Sequence, residues 1–143
     1  MIDNYFKLID NLKNEALKEP NCRTVLYPDI YEMNSTPDLK YWVFAITPGI
    51  IQAEDDYLTV NLNLYYVDRL DDSKNNYLEI QSAGIQALRN ILFRFVNKYP
   101  EVDLGSEQFN IFYQKFIDEC SGVYVNVSFT IPTSNCLIGE DYE

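Results

Sequence analysis

The chain has 143 residues, a net charge of -11 and no histidine. Its 22 acids against 11 bases argue against ordinary nucleic-acid binding, which needs a basic patch. The lack of histidine excludes Ser-His-Asp triads, Cys-His dyads and histidine-ligated zinc, while 47% hydrophobic and 23% charged residues fit one soluble globular domain over 1–143.

The pattern from Asp3 to Lys18 is helical. Tyr5, Ile9, Leu12 and Ala16 mark one face, Asp3 is a plausible N-cap and Pro20 stops the helix. Arg23 to Tyr27 reads as a short strand closed by Pro28. Asp29 to Lys40 shows no period and reads as a loop. Tyr41 to Thr47 is apolar on both faces, so it is a strand buried on both sides, or one covered on one side by a partner chain. Pro48-Gly49 reads as a turn, with Ile50 and Ile51 leading outward.

Tyr57 to Val67 alternates most clearly. Leu58, Val60, Leu62, Leu64 and Tyr66 form an apolar face against Thr59, Asn61, Asn63, Tyr65 and Val67. At roughly 3.3 Å per residue this strand spans some 35 Å, so it must be paired along most of its length. Asp68 to Asn75 is a charged loop. A long helix then runs from Asn76 to Tyr99 with its stripe on Leu78, Ile85, Leu88, Leu92 and Phe95. Asn76 and Glu79 have capping-box spacing, Gly84 marks a close approach to the sheet, and Pro100 ends the helix. Phe109 to Ile117 and Val123 to Ile131 form a hairpin, with Asp118 to Gly122 as its turn. Gly139 to Glu143 is a loose acidic tail. The expected fold is α+β: one antiparallel sheet of about five strands, two helices packed on one face, order α-β-β-β-α-β-β.

Cys22, Cys120 and Cys136 are an odd set without C-x-x-C spacing and read as thiols in a reducing compartment. No run has the length of a signal peptide's apolar core or a membrane span. Glu54, Asp55 and Asp56, and Asp71 with Asp72, are acid clusters that could hold a hard cation but lack EF-hand spacing; the sequence points to solvated turns. No phosphate-binding glycine loop and no nucleophile elbow is present. Arg89 and Arg94 could hold an anion, or pair with neighbouring acids. Trp42, Tyr41 and Phe44 could line a pocket, a core or a subunit interface. No cofactor and no catalytic constellation is expected.

Three stretches carry a family resemblance: YWVFAITPG (Tyr41 to Gly49), the alternating strand, acidic loop and long helix from Leu58 to Leu92, and VYVNVSFTIP (Val123 to Pro132). In pattern and element order the chain resembles the tail-terminator (tail-completion) proteins of tailed bacteriophages and related neck and tail-ring proteins. Its Asn-, Tyr- and Ile-rich style resembles phages of Bacteroidales, including the crAss-like group. The resemblance implies a non-enzymatic virion protein of the tail or neck, assembled in the host cytoplasm. It implies a homo-oligomeric ring of six or twelve copies, joined to portal, neck or tail-tube proteins, with duplex DNA crossing the lumen unbound and no membrane contact. Residues expected at a ring interface or lumen are Tyr41, Trp42, Asp55, Asp56, Asn61, Asn63, Tyr65, Asp68, Arg69, Asp71, Asp72 and Arg89. The apolar outer face of Tyr41 to Thr47 is expected to meet a neighbour, and the 68–75 loop to face the lumen or the adjacent ring. The competing readings are an acidic DNA mimic or anti-defence inhibitor, a module with an aromatic pocket, and a carboxylate enzyme.

Overall fold

The structure is a computed structural model that describes residues 1–36, 38–70, 76–113 and 120–133. The Asp71–Asp72 pair, Cys136 and the acidic 139–143 tail lie outside the described residues.

Helix α1 spans Tyr5–Ala16. Its N-cap is Asn4, whose side chain accepts the Lys7 N–H at 2.8 Å. Asp3, the expected cap, instead takes the Lys7 ammonium at 2.8 Å. The helix ends four residues before Pro20, whose ring would clash with the Ala16 carbonyl.

Strand β1 (Thr24–Leu26) pairs parallel with β2 (Val43–Ala53). The sheet is therefore mixed, not wholly antiparallel as the sequence suggests. A parallel pair needs a crossover, and residues 27–42 supply it. They include a 3-10 helix, Ile30–Ser35, where the sequence reads as loop. Ile30 and Met33 are buried; at three residues per turn both fall on its inner side.

Pro48-Gly49 is not a turn. β2 continues through it to Ala53, with a register shift between Pro48 and Ile51 that absorbs the proline as a bulge. The reversal comes later, where the Glu54 N–H donates to the Tyr57 carbonyl at 2.9 Å. β3 (Tyr57–Arg69) pairs antiparallel with β2 on one side and with β6 (Cys120–Pro132) on the other. The β3–β6 register runs unbroken from Tyr57↔Pro132 to Arg69↔Cys120. Gly122 belongs to β6, opposite Val67, rather than to a turn. Two short strands share the far edge of β6: β4 (Asp103–Leu104) and β5 (Gln108–Tyr113). The architecture is thus one mixed sheet of six strands, in the order β1-β2-β3-β6-β4 with β5 also on β6, where five antiparallel strands are expected.

Helix α2 spans Tyr77–Lys98. Asn76 is its N-cap but makes no side-chain cap hydrogen bond, so the capping box is not formed. Both helices contribute to the main core, where Leu8, Leu12, Leu88, Ile91 and Phe95 meet Phe44, Ile46, Leu64, Val125 and Phe129. α2 presses on the sheet at Gly84: a β-carbon there would stand 2.6 Å from Val123 Cγ1. Arg94 ties the helices together, giving Glu19 a 2.6 Å ion pair, Glu15 a 3.3 Å one and the Glu15 carbonyl a 2.9 Å hydrogen bond. Burial raises the Glu15 pKa, but hydrogen bonds from Lys18 and Arg94 outweigh it and hold the carboxyl below its ordinary value.

On the opposite face the crossover covers one half of the sheet. Ile30, Met33 and Leu26 pack there with Val43, Ala45, Val67 and Phe112 in a second cluster. Val43 to Ile46 are accordingly buried on both sides by their own chain, with Tyr41, Trp42 and Thr47 half-buried at the ends of the run. The outer face of this run, expected to meet a neighbour, is roofed by the crossover.

Candidate functional site

The other half of that second face is open, and cross-strand register builds it in rows. Thr47, Asn63, Asn126 and Gln108 stand side by side across four strands. Asn61 and Ser128 form the next row, and Gln52, Thr59, Thr130 and Asp103 the one after. Backbone alternation sets every one of these side chains on the same face. Neighbours across strands lie about 5 Å apart, close enough to share hydrogen bonds. The Thr59 and Thr130 hydroxyls do so at 3.3 Å, and the Asn61 amide donates to the Ile50 carbonyl at 2.9 Å.

Asn61, Asn63, Gln108, Asn126 and Ser128 of these rows floor an open concavity of about 380 Å³, with Gly49, Ile50 and Ser106 on its walls. Among its lining residues none carries a charge. Toward the covered half the rows turn aromatic: Tyr65 stacks on Tyr124 at 5.0 Å and meets Phe112 edge-on at 6.2 Å. Burial raises the Tyr65 pKa, so its hydroxyl stays a neutral hydrogen-bonding group. Beside the concavity the end of β2, paired with β3 to Ala53, carries exposed apolar side chains, Ile50 at 71% and Ile51 at 44%.

Acids gather at the foot of the sheet. Glu54, Asp55 and Asp56 are exposed at the β2–β3 turn. A second hollow includes Asp56, Glu101 and Asp103. Glu101 accepts the Ile2 N–H at 2.5 Å, which holds its carboxyl below the ordinary value. Among the described residues no three acids or thiols are grouped as metal ligands would be.

The expected site residues divide accordingly. Asn61, Asn63 and Tyr65 share the second face, and Asp55 and Asp56 lie at its foot. Tyr41 and Trp42 are engaged internally. The Tyr41 hydroxyl is 3.3 Å from Cys120 Sγ, with the Arg69 guanidinium over its ring, and Trp42 stacks on Tyr66 at 4.8 Å toward the helices. Asp68 is half-buried, and burial raises its pKa. Its carboxylate accepts the Arg69 N–H at 2.8 Å. Arg89 stands apart, exposed on the flank of α2 in a groove with Phe93, Leu104 and Glu107. Asn126, Ser128 and Gln108 complete the polar rows but are missing from the expected set. The signal was available: Asn126 and Ser128 occupy the same alternation in the closing strand as Asn61 and Asn63 do in the long one.

Of the thiols, Cys22 is buried and its pKa pushed up to about 11 by that burial, which makes it a poor nucleophile. No helix among the described residues is long and apolar enough to cross a membrane.

Compared with known proteins, the chain matches no protein-family model and no curated protein.

Proposed function

We propose that this chain is a structural protein of a tailed-phage virion, a tail-terminator-like or neck-ring subunit at the head–tail junction. Copies associate into a ring of six or twelve that caps or connects the tail tube, and duplex DNA passes through the lumen without specific binding. Assembly takes place in the host cytoplasm, and no catalysis is required of it. The observation that supports this reading is the uncharged polar concavity on the open face, beside exposed apolar residues at the end of β2, in a chain whose net charge is -11. A surface rich in hydrogen-bonding groups and free of charge is one that a neighbouring protein can cover without burying unpaired ions. The acidic remainder suits a channel through which DNA must slide, because like charges repel within a screening length of about 8 Å.

Light scattering with negative-stain imaging over a concentration series tests the reading. Closed rings with a hole wide enough for duplex DNA are the expected outcome. A monomer at every concentration that instead captures a DNA-binding enzyme in fixed stoichiometry would replace it with the DNA-mimic reading.

A further inference from the structure

The two outer margins of the sheet differ from its interior in having unused backbone. Among the described residues β5 pairs only with β6, which leaves its other edge open along Gln108–Ile111; the Phe112 carbonyl beyond is taken by the Gln81 amide and the Ser121 hydroxyl. β1 covers β2 only over Val43–Ala45, so the run from Ile46 to Ala53 also has no strand on its outer side among the described residues. Exposed edges are normally guarded by charge, proline or a bulge, because they recruit other strands. β2 has such a guard at Pro48 and in the bulge over Gly49 and Ile50, whose Ile50 carbonyl takes the Asn61 amide, which leaves Ile51–Ala53 as its pairable end. β5 contains neither charge nor proline.

Apolar surface flanks the β5 edge. Gln81 on α2 reaches the Phe112 carbonyl at 3.4 Å, so the first turns of α2 lie along this margin. Leu78 and Ile111 are 70% and 59% exposed there, and Phe93 extends the exposed stripe down α2 to the groove that holds Arg89.

We infer that the open edge of β5 in one copy takes the free end of β2 of the next copy, Ile51–Ala53, as an added antiparallel strand. This rests on the ring reading above and names the contact that closes the ring. Three features favour a second copy as the occupant. First, the donor and the acceptor lie on opposite margins of one sheet, so the contact is head-to-tail, which is the kind that generates rings. Second, the strand directions fit: β2, β3, β6 and β5 alternate, so β2 and β5 of copies in the same orientation are antiparallel. The offset between the two segments is the shear that inclined strands require in a closed ring. Third, charge fits. Copies that each carry -11 repel one another, yet both strand ends are uncharged. In this pairing Ala53 lies near Gln108, and the turn acids Glu54, Asp55 and Asp56 arrive at the groove of Arg89, where Glu107 is the one acid on the receiving side.

The test is the assembly midpoint of the full chain, by light scattering, for wild type, Ile111→Lys, Ile51→Glu and the double variant. Both positions are exposed, so thermal melts of the single variants should match wild type. Each single change is expected to raise the midpoint concentration about tenfold, and the pair to return it to within about threefold of wild type. Arg89→Glu is expected to raise it about threefold by removing the cation that meets the turn acids. Rings unaffected by all of these changes would overturn the edge pairing and leave the ring reading standing. A dimer sensitive to Ile111→Lys but not to Ile51→Glu would show β5 pairing with itself and overturn the head-to-tail contact. A wild type that is monomeric at every concentration would remove both.

Discussion

The two ends of β3 carry one alternation and meet opposite surroundings. Near Tyr65–Val67 both faces are covered, by the helices on one side and by the Ile30–Ser35 crossover on the other. Near Thr59–Asn63 the helix side is buried and the other side is open. The contrast teaches that alternation assigns residues to faces but does not say what lies over each face. In this molecule the cover comes from a segment with no period of its own.

The sharpest way to break that comparison is at Gly122, in the doubly covered half. A β-carbon there would lie 2.5 Å from the Tyr66 carbonyl oxygen and 3.0 Å from Val67 Cα, both fixed backbone atoms. Gly122→Ala is therefore expected to cost about 3 kcal/mol in chemical denaturation, toward the upper end for overpacking. Met33→Ala removes part of the roof and should cost about 2–3 kcal/mol. A loss under 0.5 kcal/mol would mean that the crossover covers the face without stabilising it. Asn63→Ala, on the open half of the same strand, is expected to change stability by less than about 0.5 kcal/mol. If Asn63→Ala cost as much as Met33→Ala, the two halves would not be distinct.

Much of this was legible in the sequence. The two helices, the long central strand and the closing strand follow from strong periodicity, and the helix-facing core follows the expected stripe from Leu88 through Leu92 to Phe95, whereas Leu78, expected on that stripe, is exposed and Ile80, Gly84 and Ala87 are buried in the first turns of α2. What escaped is local. Pro48-Gly49 has the composition of a turn, but its strand is held on both flanks by pairing with β3, and a bulge is enough to pass the proline. The Ile30–Ser35 helix is too short to show a 3.6-residue period; its sole trace is Ile30 and Met33 at three-residue spacing. The parallel β1–β2 pair depends on the path of that crossover, which propensity does not encode. Half of the polar face was legible from Asn61 and Asn63. The rest needed the β3–β6 register to set Asn126 and Ser128 beside them. Tyr41 and Trp42 read as interface aromatics because nothing in their spacing separates a partner's surface from the chain's own.

The unbroken register between β3 and β6 has a mechanical consequence. Its hydrogen bonds lie across the strand direction. Tension applied along the strands, pulling Tyr57–Arg69 past Cys120–Pro132, would load together every hydrogen-bonded pair among these 13 opposed residue pairs. Tension applied across the strands would part those pairs one after another. The domain is thus stiff along one axis and yielding along the other. A subunit that had to withstand axial load would use it with these two strands laid along the pull.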